Sequence, residues 1–313
     1  MIELSKLFDC IDYELIQGSL YNEISDIAYD ISTVVKDCLY ICRKDGEYNG
    51  HDFIDEAIKK GAKALLVEEN ITAPIGLTVI KVSDALFSMA FISAAYFGNP
   101  AEKLRVIGVT GTNGKTTTTN MIKTVLNNAG RKCNVISAQS NSYLLHKELR
   151  KKFDDACDSV VMEVPAQAIK YDVTAGILFD IGIFMNISKD QSIENGQKDF
   201  KQYLKCKSML FKQCKIGIIN VDDEFYEDIL EGHTCSVETF GFAEDAVIRA
   251  HDNSFVDEEG NKKIIFSVLA SSENIYELNL SDDYNIYNAL AAIGTCRIFG
   301  VKDDIIKEAL KNI

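Results

Sequence analysis

A glycine- and threonine-rich segment at residues 108–116, GVTGTNGKT, contains the side chains whose spacing points most directly to chemistry. In such a loop the glycines let backbone N–H groups turn inward around phosphates, a lysine reaches the β- and γ-phosphates, and a threonine hydroxyl holds Mg²⁺. The strict GxxxxGK[ST] spacing is broken because Val109 stands where the first glycine would be. A turn that is rich in glycine and threonine by chance is the alternative. We call residues 108–116 the phosphate loop. The residues predicted to bind the nucleotide are Gly111, Thr112, Asn113, Gly114, Lys115, Thr116 and the next residue, Thr117.

The phosphate loop lies between a strand pattern and a helix pattern. From Arg105 onward, near-continuous apolar runs alternate with helical patterns, which predicts a mostly parallel sheet with helices on both faces. Ligands of such sheets collect at the carboxyl ends of the strands. Further on, VIRAHDNSF and KKIIFSVL predict an antiparallel hairpin around the turn Glu258-Glu259-Gly260-Asn261, and two helices close the chain.

The first hundred residues have a different pattern. Short apolar runs surround one helical stretch, and Gly98-Asn99-Pro100 is a loop signal. A length of 313 residues favours two domains. We therefore predict an α/β protein with a small N-terminal α/β domain at residues 1–100 and a P-loop central domain at residues 101–313, whose mostly parallel sheet is flanked by helices.

Charge and composition narrow the class of partner. The formal net charge is -14, and no run of Lys or Arg resembles a phosphate-backbone footprint, so nucleic acids and anionic membranes are not expected partners. Nine cysteines without a CxxC pair indicate reduced thiols rather than a zinc site. The acidic charge therefore favours small-molecule partners. No signal-peptide pattern and no apolar run of about 18 residues is present, so we expect a cytoplasmic location.

The loop variant TGTNGKTTTT resembles the ATP loop of the Mur ligases, which add amino acids to UDP-muramoyl precursors of peptidoglycan. The resemblance is strongest to the tripeptide-forming UDP-N-acetylmuramoyl-dipeptide ligases and spans nearly the whole chain, through residues 45–69, VVMEV, MNISKDQ, LKCKSMLF, IINVDDE and YNIYNALAA. It implies an ADP-forming carbon–nitrogen ligase that uses ATP and Mg²⁺. In that chemistry a carboxylate attacks the γ-phosphate to give an acyl phosphate, and an amine then displaces phosphate.

The resemblance also assigns catalytic roles. It implies that Lys115 contacts the transferred phosphoryl group, that Thr116 and Glu163 hold Mg²⁺, and that Lys207 holds a second Mg²⁺ after carbamylation. Carbamylation is needed because an unmodified lysine is not a ligand for a hard cation. Lys205 is a competing alignment for this position. Without the resemblance, Glu163 is a chance acid at a strand end and Lys207 a solvated lysine on a charged helix.

Several polar residues are implied near the nucleotide. Asn186 falls near the adenine and phosphate site, Asp190 closes the same segment, and Asn288 matches an asparagine that contacts adenine. The alternatives are cap or turn residues for the first two and a buried helix asparagine for Asn288. INVDDE supplies a further strand-end group, Asn220, Asp222 and Asp223, of which the first aspartate is implied to lie close to the nucleotide.

The residues that would bind the muramoyl substrate depart from the family pattern. Asp30-Ile31-Ser32 stands where the family has Asp-Ser-Arg, Ser137 to Ser140 replaces Asn-Thr-Thr-Pro, Pro165-Ala166-Gln167 replaces Ser-Ser-His, and Gln191 replaces a histidine. The sequence also ends at Ile313, before the C-terminal domain of the family, which we therefore expect to be absent. Three hypotheses remain: a ligase for the UDP-sugar peptide, a non-catalytic MgATP-binding module, and a ligase for another carboxylate that a separate C-terminal-domain-like partner completes.

Overall fold

The computed structural model describes residues 1–46, 48–189, 200–258, 261–269, 273–280 and 282–313. Two compact units are present. The first comprises Met1–Ala101, Gln139–Lys151 and Lys170–Gly176, and the second comprises Glu102–Ala138, Lys152–Ile169 and Ile177–Ile313. The domain bounds 1–100 and 101–313 stay a prediction.

Helices occur in both units. Within the described ranges the α-helices are α1 (Ile54–Lys59), α2 (Ala85–Tyr96), α3 (Pro100–Lys103), α4 (Lys115–Asn128), α5 (Ser142–Asp154), α6 (Ala166–Lys170), α7 (Phe200–Ser208), α8 (Tyr226–Leu230), α9 (Tyr284–Ile298) and α10 (Asp303–Lys311). Short 3₁₀ helices span Leu4–Leu7, Ile31–Thr33, Gly50–Phe53 and Met209–Lys212. Among the described helices, none combines the length and the apolar character needed to cross a membrane.

The first unit is built on a five-stranded sheet. The strands of the unit are β1 (Ile2–Glu3), β2 (Glu14–Gln17), β3 (Glu23–Ile24), β4 (Ile27–Ala28), β5 (Leu39–Ile41), β6 (Lys44–Asp45), β7 (Tyr48–Asn49), β8 (Ala64–Val67) and β9 (Thr78–Lys81). The sheet order is β2-β9-β8-β5-β4, parallel except for β2 against β9, while β1 pairs with β3 and β6 with β7.

Both faces of this sheet are covered. Along β5, Leu39 and Ile41 belong to one apolar cluster and Tyr40 to another. On β8, Leu66 and Leu65 divide in the same way. Successive side chains of a strand point to opposite faces, so the continuous apolar runs predict burial on both sides, as observed.

The second unit is built on a nine-stranded sheet. Its strands are β10 (Arg105–Thr110), β11 (Cys133–Ser137), β12 (Ser159–Glu163), β13 (Phe179–Phe184), β14 (Cys214–Asn220), β15 (Ser236–Gly241), β16 (Ile248–Glu258), β17 (Asn261–Leu269) and β18 (Glu273–Leu278). The order is β11-β12-β10-β13-β14-β15-β16-β17-β18. Pairing is parallel from β11 to β16 and antiparallel from β16 to β18.

The predicted fold class is confirmed: the protein is α/β with a mostly parallel sheet flanked by helices. The antiparallel pair predicted near residue 260 is also confirmed, since Glu258 pairs with Asn261. Glu259 and Gly260, the centre of the predicted turn, lie outside the described residues. Strand register aligns the carboxyl ends of the central strands, because Thr110 pairs with Phe184 and Phe184 with Ile219.

Candidate functional site

The phosphate loop connects β10 to α4 and therefore lies at the carboxyl end of a central strand. Gly114 caps the helix with φ of +84°, a conformation that glycine adopts without steric cost. A Cβ at this position would collide with Asn288 Oδ1 and approach Tyr284 Cε1 to 2.9 Å. Lys115 and Thr116 begin the helix, where the first N–H groups have no intrahelical acceptor. The loop thus has the backbone of an anion-binding helix N-terminus.

Asn186, two residues past β13, holds the phosphate loop by both ends of its amide. Its Oδ1 accepts hydrogen bonds from the backbone N–H groups of Thr112, at 3.1 Å, and Asn113, at 2.9 Å. Its Nδ2 donates to the carbonyl of Asn113 at 3.1 Å. Asn186 therefore stabilises the conformation of the loop directly.

Lys115 folds back over the loop. Its Nζ donates to the carbonyl oxygens of Gly111 and Thr112, each at 2.8 Å. Burial lowers the pKa of this ammonium group, and the Glu163 carboxylate opposes the shift. A phosphate would offer the ammonium an anionic acceptor in place of two neutral ones, and such charge-assisted bonds are the stronger kind.

Glu163 is the last residue of β12 and pairs in register with Val109 of β10. Glu163 is partly exposed, so a ligand from solvent can reach it. The hydroxyl-bearing side chain of Thr116 is exposed on the first turn of α4, and Thr117 is partly exposed beside it. Over the described residues, no three His, Cys, Asp or Glu side chains group as a metal cage. One carboxylate, one hydroxyl, phosphate oxygens and waters are nevertheless a donor set that suits Mg²⁺.

Lys207, on α7, is buried, with 1% of its surface exposed. Its Nζ lies 3.4 Å from Thr110 Oγ1 and 4.7 Å from the centre of the Tyr203 ring. Burial, with a smaller contribution from the charge of Lys115, lowers the pKa of Lys207 to about 7. Lys205, the competing alignment, is exposed. The structure thus buries Lys207, and not Lys205, at the carboxyl end of the strand that leads into the phosphate loop.

Three glycines allow the segment carrying Lys207 to approach the sheet. Gly108, Gly182 and Gly217, the glycine row, pair with one another across β10, β13 and β14. A Cβ on Gly108 would lie 3.0 Å from Leu210 Cδ1, and one on Gly217 would lie 3.1 Å from Phe211 Cδ1. Both contacts are tighter than ordinary packing, so the 3₁₀ turn that follows α7 lies over strand positions that lack a side chain.

Side chains of the segment INVDD, at the end of β14, form hydrogen bonds with nearby backbone groups. Asn220 Nδ2 donates to the carbonyl of Met185 at 2.8 Å, and Asp223 accepts from the N–H groups of Ile187, at 2.8 Å, and Phe225, at 3.0 Å. Burial raises the pKa of Asp223, although these backbone bonds oppose the shift.

Asp222 is likewise engaged, since it accepts from the N–H groups of Phe242, at 2.6 Å, and Ala243, at 3.0 Å, and from the Tyr287 hydroxyl at 3.0 Å. These contacts support a structural role for the group.

Asn288 reaches the phosphate loop from α9. It is 2% exposed, and its Oδ1 accepts from the Thr118 hydroxyl at 3.1 Å. Its Nδ2 donates to Asn285 Oδ1 at 3.1 Å. The side chain is therefore a bonded helix asparagine in the described structure, and its predicted contact with adenine stays a prediction. Asp190 and Gln191 lie outside the described residues.

Two site residues were missed by sequence reasoning. Tyr284 contacts Asn186 through its hydroxyl, and Thr118 contacts Asn288. A signal for Tyr284 exists, because it lies four residues before Asn288 and so shares a face of α9 with it. Thr118 lies three residues after Lys115 on α4, but a threonine run gives no indication of which hydroxyl is buried.

A glycine loop that joins a parallel strand to a helix, with a lysine and a threonine opening that helix, defines a P-loop α/β protein. A family model described as the Mur ligase middle domain matches residues 109–296. A UDP-N-acetylmuramoyl-L-alanyl-D-glutamate–2,6-diaminopimelate ligase of Clostridium perfringens is 32% identical, and the alignment covers 99% of this chain and 67% of that relative. The chain belongs to the Mur ligase family.

Solved structures share the fold. One of a UDP-N-acetylmuramoyl-L-alanyl-D-glutamate–2,6-diaminopimelate ligase superposes with a TM-score of 0.85 at 16% identity, covering 100% of this chain and 66% of that one. The MurF ligase of Thermotoga maritima in complex with ADP gives a TM-score of 0.60 at 21% identity, covering 92% and 66%. The chain thus spans about two thirds of the length of these relatives.

Proposed function

We propose that the phosphate loop binds MgATP and that the chain acts in an ADP-forming ligase of peptidoglycan precursor synthesis. The observation that carries the proposal is the convergence of Lys115, Glu163 and Lys207 at one sheet edge. Lys207 Nζ lies 3.4 Å from Thr110 Oγ1, and the Thr110 hydroxyl donates to the carbonyl of Val164, the residue after Glu163. Lys115 Nζ donates to the carbonyl of Gly111, the residue after Thr110. The ADP complex of the Thermotoga maritima relative supports a nucleotide as the ligand.

In this proposal Lys115, Thr116 and Glu163 all help to neutralise the negative charge of the phosphates. Lys115 leaves the carbonyls of Gly111 and Thr112 and donates to the β- and γ-phosphates. Thr116 and Glu163 would hold Mg²⁺, which supplies positive charge for the phosphate oxygens. Positioning and charge stabilisation account for most phosphoryl-transfer catalysis, so this arrangement suits the reaction.

We propose that the amine of Lys207 is carbamylated. With a pKa of about 7, a large part of the side chain is neutral near neutral pH and can attack CO₂. The N–C bond that forms releases a proton and leaves a carbamate oxygen donor for a second Mg²⁺. The nearby ammonium of Lys115 favours such an anion.

The names of the relatives suggest which substrate accepts the phosphoryl group. We propose that a carboxylate oxygen of a UDP-N-acetylmuramoyl-dipeptide attacks the γ-phosphorus, the bond to ADP breaks, and an acyl phosphate forms. An amino group of the incoming amino acid then attacks the acyl carbon, phosphate leaves, and the amine releases a proton. The Clostridium perfringens relative is named for a reaction of this class.

A second candidate function is supported by the first unit. Asp30 Oδ1 accepts from the N–H of Ser32 at 2.9 Å and from its hydroxyl at 2.6 Å, and these bonds lower the pKa of Asp30. Both side chains therefore stabilise their own 3₁₀ turn, and Ser32 stands where the resemblance implies an arginine for the uridine diphosphate. This supports a non-catalytic MgATP-binding module, or a ligase for a different carboxylate that a separate C-terminal-domain-like partner completes.

Nucleotide binding is tested by calorimetric titration with a Mg²⁺-bound, non-hydrolysable ATP analogue. Loss of one charge-assisted hydrogen bond costs about 1.5–3 kcal/mol, so Lys115→Ala should weaken binding roughly 10- to 100-fold. Lys123→Ala, on the same helix but beyond the loop, is the matched control and should bind as the wild type does. Equal affinities of wild type and Lys115→Ala would contradict the proposed site.

The acceptor is tested on the analogue-loaded protein. Micromolar binding of UDP-N-acetylmuramoyl-dipeptide would support the peptidoglycan ligase. No heat of binding, with the analogue bound, would favour the module or the altered-specificity ligase. Amide formation from another carboxylate after addition of the C-terminal third of a relative would single out the latter.

A further inference from the structure

We propose that Tyr284 is a positioning residue for the polyphosphate part of the nucleotide, and that it acts through Asn186 on the backbone of the phosphate loop. The proposal rests on the function proposed above for the site. Tyr284 does not belong to the loop. It is the first residue of α9, and the chain between them includes most of the second unit.

The hydroxyl of Tyr284 meets the amide of Asn186. Asn186 Nδ2 donates to this hydroxyl, which is also 3.5 Å from the carbonyl of Met185. The hydroxyl can donate its own hydrogen to Met185 while it accepts from Asn186. Tyr284 thereby holds the NH₂ end of Asn186 in place, and the oxygen end is left to face the N–H groups of Thr112 and Asn113.

This orientation matters because the two ends of the amide are not equivalent. Turned by half a rotation, Asn186 would present hydrogens to two N–H donors and an oxygen to the carbonyl of Asn113. Three of its bonds to the loop would then become repulsive. A partner that accepts from Nδ2 therefore selects the orientation that braces the loop.

The ring of Tyr284 adds a steric contact. Its Cε1 would be only 2.9 Å from a Cβ placed on Gly114. Asn288, four residues further along α9, also contacts this glycine position. Helix α9 therefore touches the loop at Gly114 and also touches Asn186, which is bonded to the loop. Movement of α9 would therefore shift the backbone of the loop.

The matched pair of variants is Tyr284→Phe and Tyr287→Phe. Each removes one hydroxyl from α9, but the Tyr287 hydroxyl bonds to Asp222 and not to Asn186. Affinities for the Mg²⁺-bound ATP analogue and for adenosine would be measured for both variants. One hydrogen bond is worth about 1 kcal/mol, so Tyr284→Phe should weaken the analogue about fivefold. Adenosine, which lacks phosphate, should bind both variants as it binds the wild type.

A second measurement does not require nucleotide. Amide hydrogen exchange at Thr112 and Asn113 should become about fivefold faster in Tyr284→Phe and stay unchanged in Tyr287→Phe, because one bracing hydrogen bond is lost. Faster exchange in a protein that binds no analogue would refute the proposed nucleotide site, although it would still show that Tyr284 acts on the loop backbone. Unchanged exchange in Tyr284→Phe would overturn that role, as would an equal loss of affinity for adenosine.

A double-mutant cycle tests the route. In an Asn186→Ala background, Tyr284→Phe should have no further effect on exchange at Thr112 and Asn113, since the residue through which it acts is gone. An effect of the same size in both backgrounds would show that Tyr284 acts on the loop independently of Asn186 and would overturn the proposal.

Discussion

The Nζ of Lys207 lies 3.4 Å from the hydroxyl of Thr110, at the point where β10 enters the phosphate loop. The Thr110 hydroxyl in turn donates to the carbonyl of Val164 at 2.9 Å, so it can accept from Lys207. A neutral hydroxyl solvates an ammonium poorly, which is why burial dominates the pKa of Lys207.

Lys207 should make stability depend on pH in a defined window. Its pKa is about 7 in the folded state, against 10.5 as the ordinary value, so between these pH values the unfolded chain binds one more proton. The free energy of unfolding then rises with pH by up to about 1.4 kcal/mol per pH unit from this group. The variant Lys207→Met lacks this dependence. Relative to it, the wild type should gain about 2 kcal/mol between pH 7 and pH 9.

Denaturant unfolding in CO₂-depleted buffer at several pH values measures the difference. Lys205→Met is the control, because this neighbouring side chain is exposed. A constant difference between wild type and Lys207→Met across the window would show that the Lys207 ammonium is not destabilised by burial.

Carbamylation of Lys207 is a separate prediction. The wild type, equilibrated with ¹³C-labelled bicarbonate near neutral pH, should show a carbamate carbon signal by NMR, because the amine is both substantially neutral and close to the positive charge of Lys115. Lys207→Ala should lack the signal and Lys205→Ala should retain it. A signal that survives Lys207→Ala would assign the modification to another amine.

How far the sequence predicts this site depends on the range of the contacts. Lys115 and Thr116 are placed by the loop itself, and Glu163 by the end of an apolar strand, so local patterns are sufficient. Thr118 and Asn288 are 170 residues apart, and no local pattern joins them. The burial of Lys207 depends on the glycine row, which appears only once three strands are in register. The charged helix α7 alone predicts a solvated lysine there, and only the family resemblance indicated otherwise.

Gly114 should be intolerant of any side chain. In Gly114→Ala the methyl group would meet Asn288 Oδ1 and Tyr284 Cε1 in addition to adopting φ of +84°. Gly130→Ala, at the other end of α4, has φ of +76° and nothing within 4 Å, so it isolates the cost of the backbone conformation. That cost is about 1–2 kcal/mol.

Gly114→Ala should therefore lower the free energy of unfolding by more than Gly130→Ala, and it alone should weaken binding of the ATP analogue. Thermal unfolding and calorimetry on the two variants make the comparison. Equal losses of stability with unchanged nucleotide affinity would contradict the contact between Gly114 and α9.

His146, in the first unit, should cause loss of stability in acid. It is 1% exposed on α5, and among the described residues neither ring nitrogen has a hydrogen-bond partner. Burial lowers its pKa from 6.5 to about 4. As pH falls from about 6.5 to about 4, the unfolded chain takes up a proton that the folded chain does not, so stability falls by about 3 kcal/mol from this group.

His146→Leu should remove this loss of stability in acid. Because the substitution also removes unpaired buried polar atoms, it breaks no hydrogen bond that would cost stability at pH 7. His233→Leu, at an exposed position, should follow the wild type at both pH values. The measurement is the free energy of unfolding at pH 7 and pH 4.5, and parallel losses in wild type and His146→Leu would refute a buried, neutral His146.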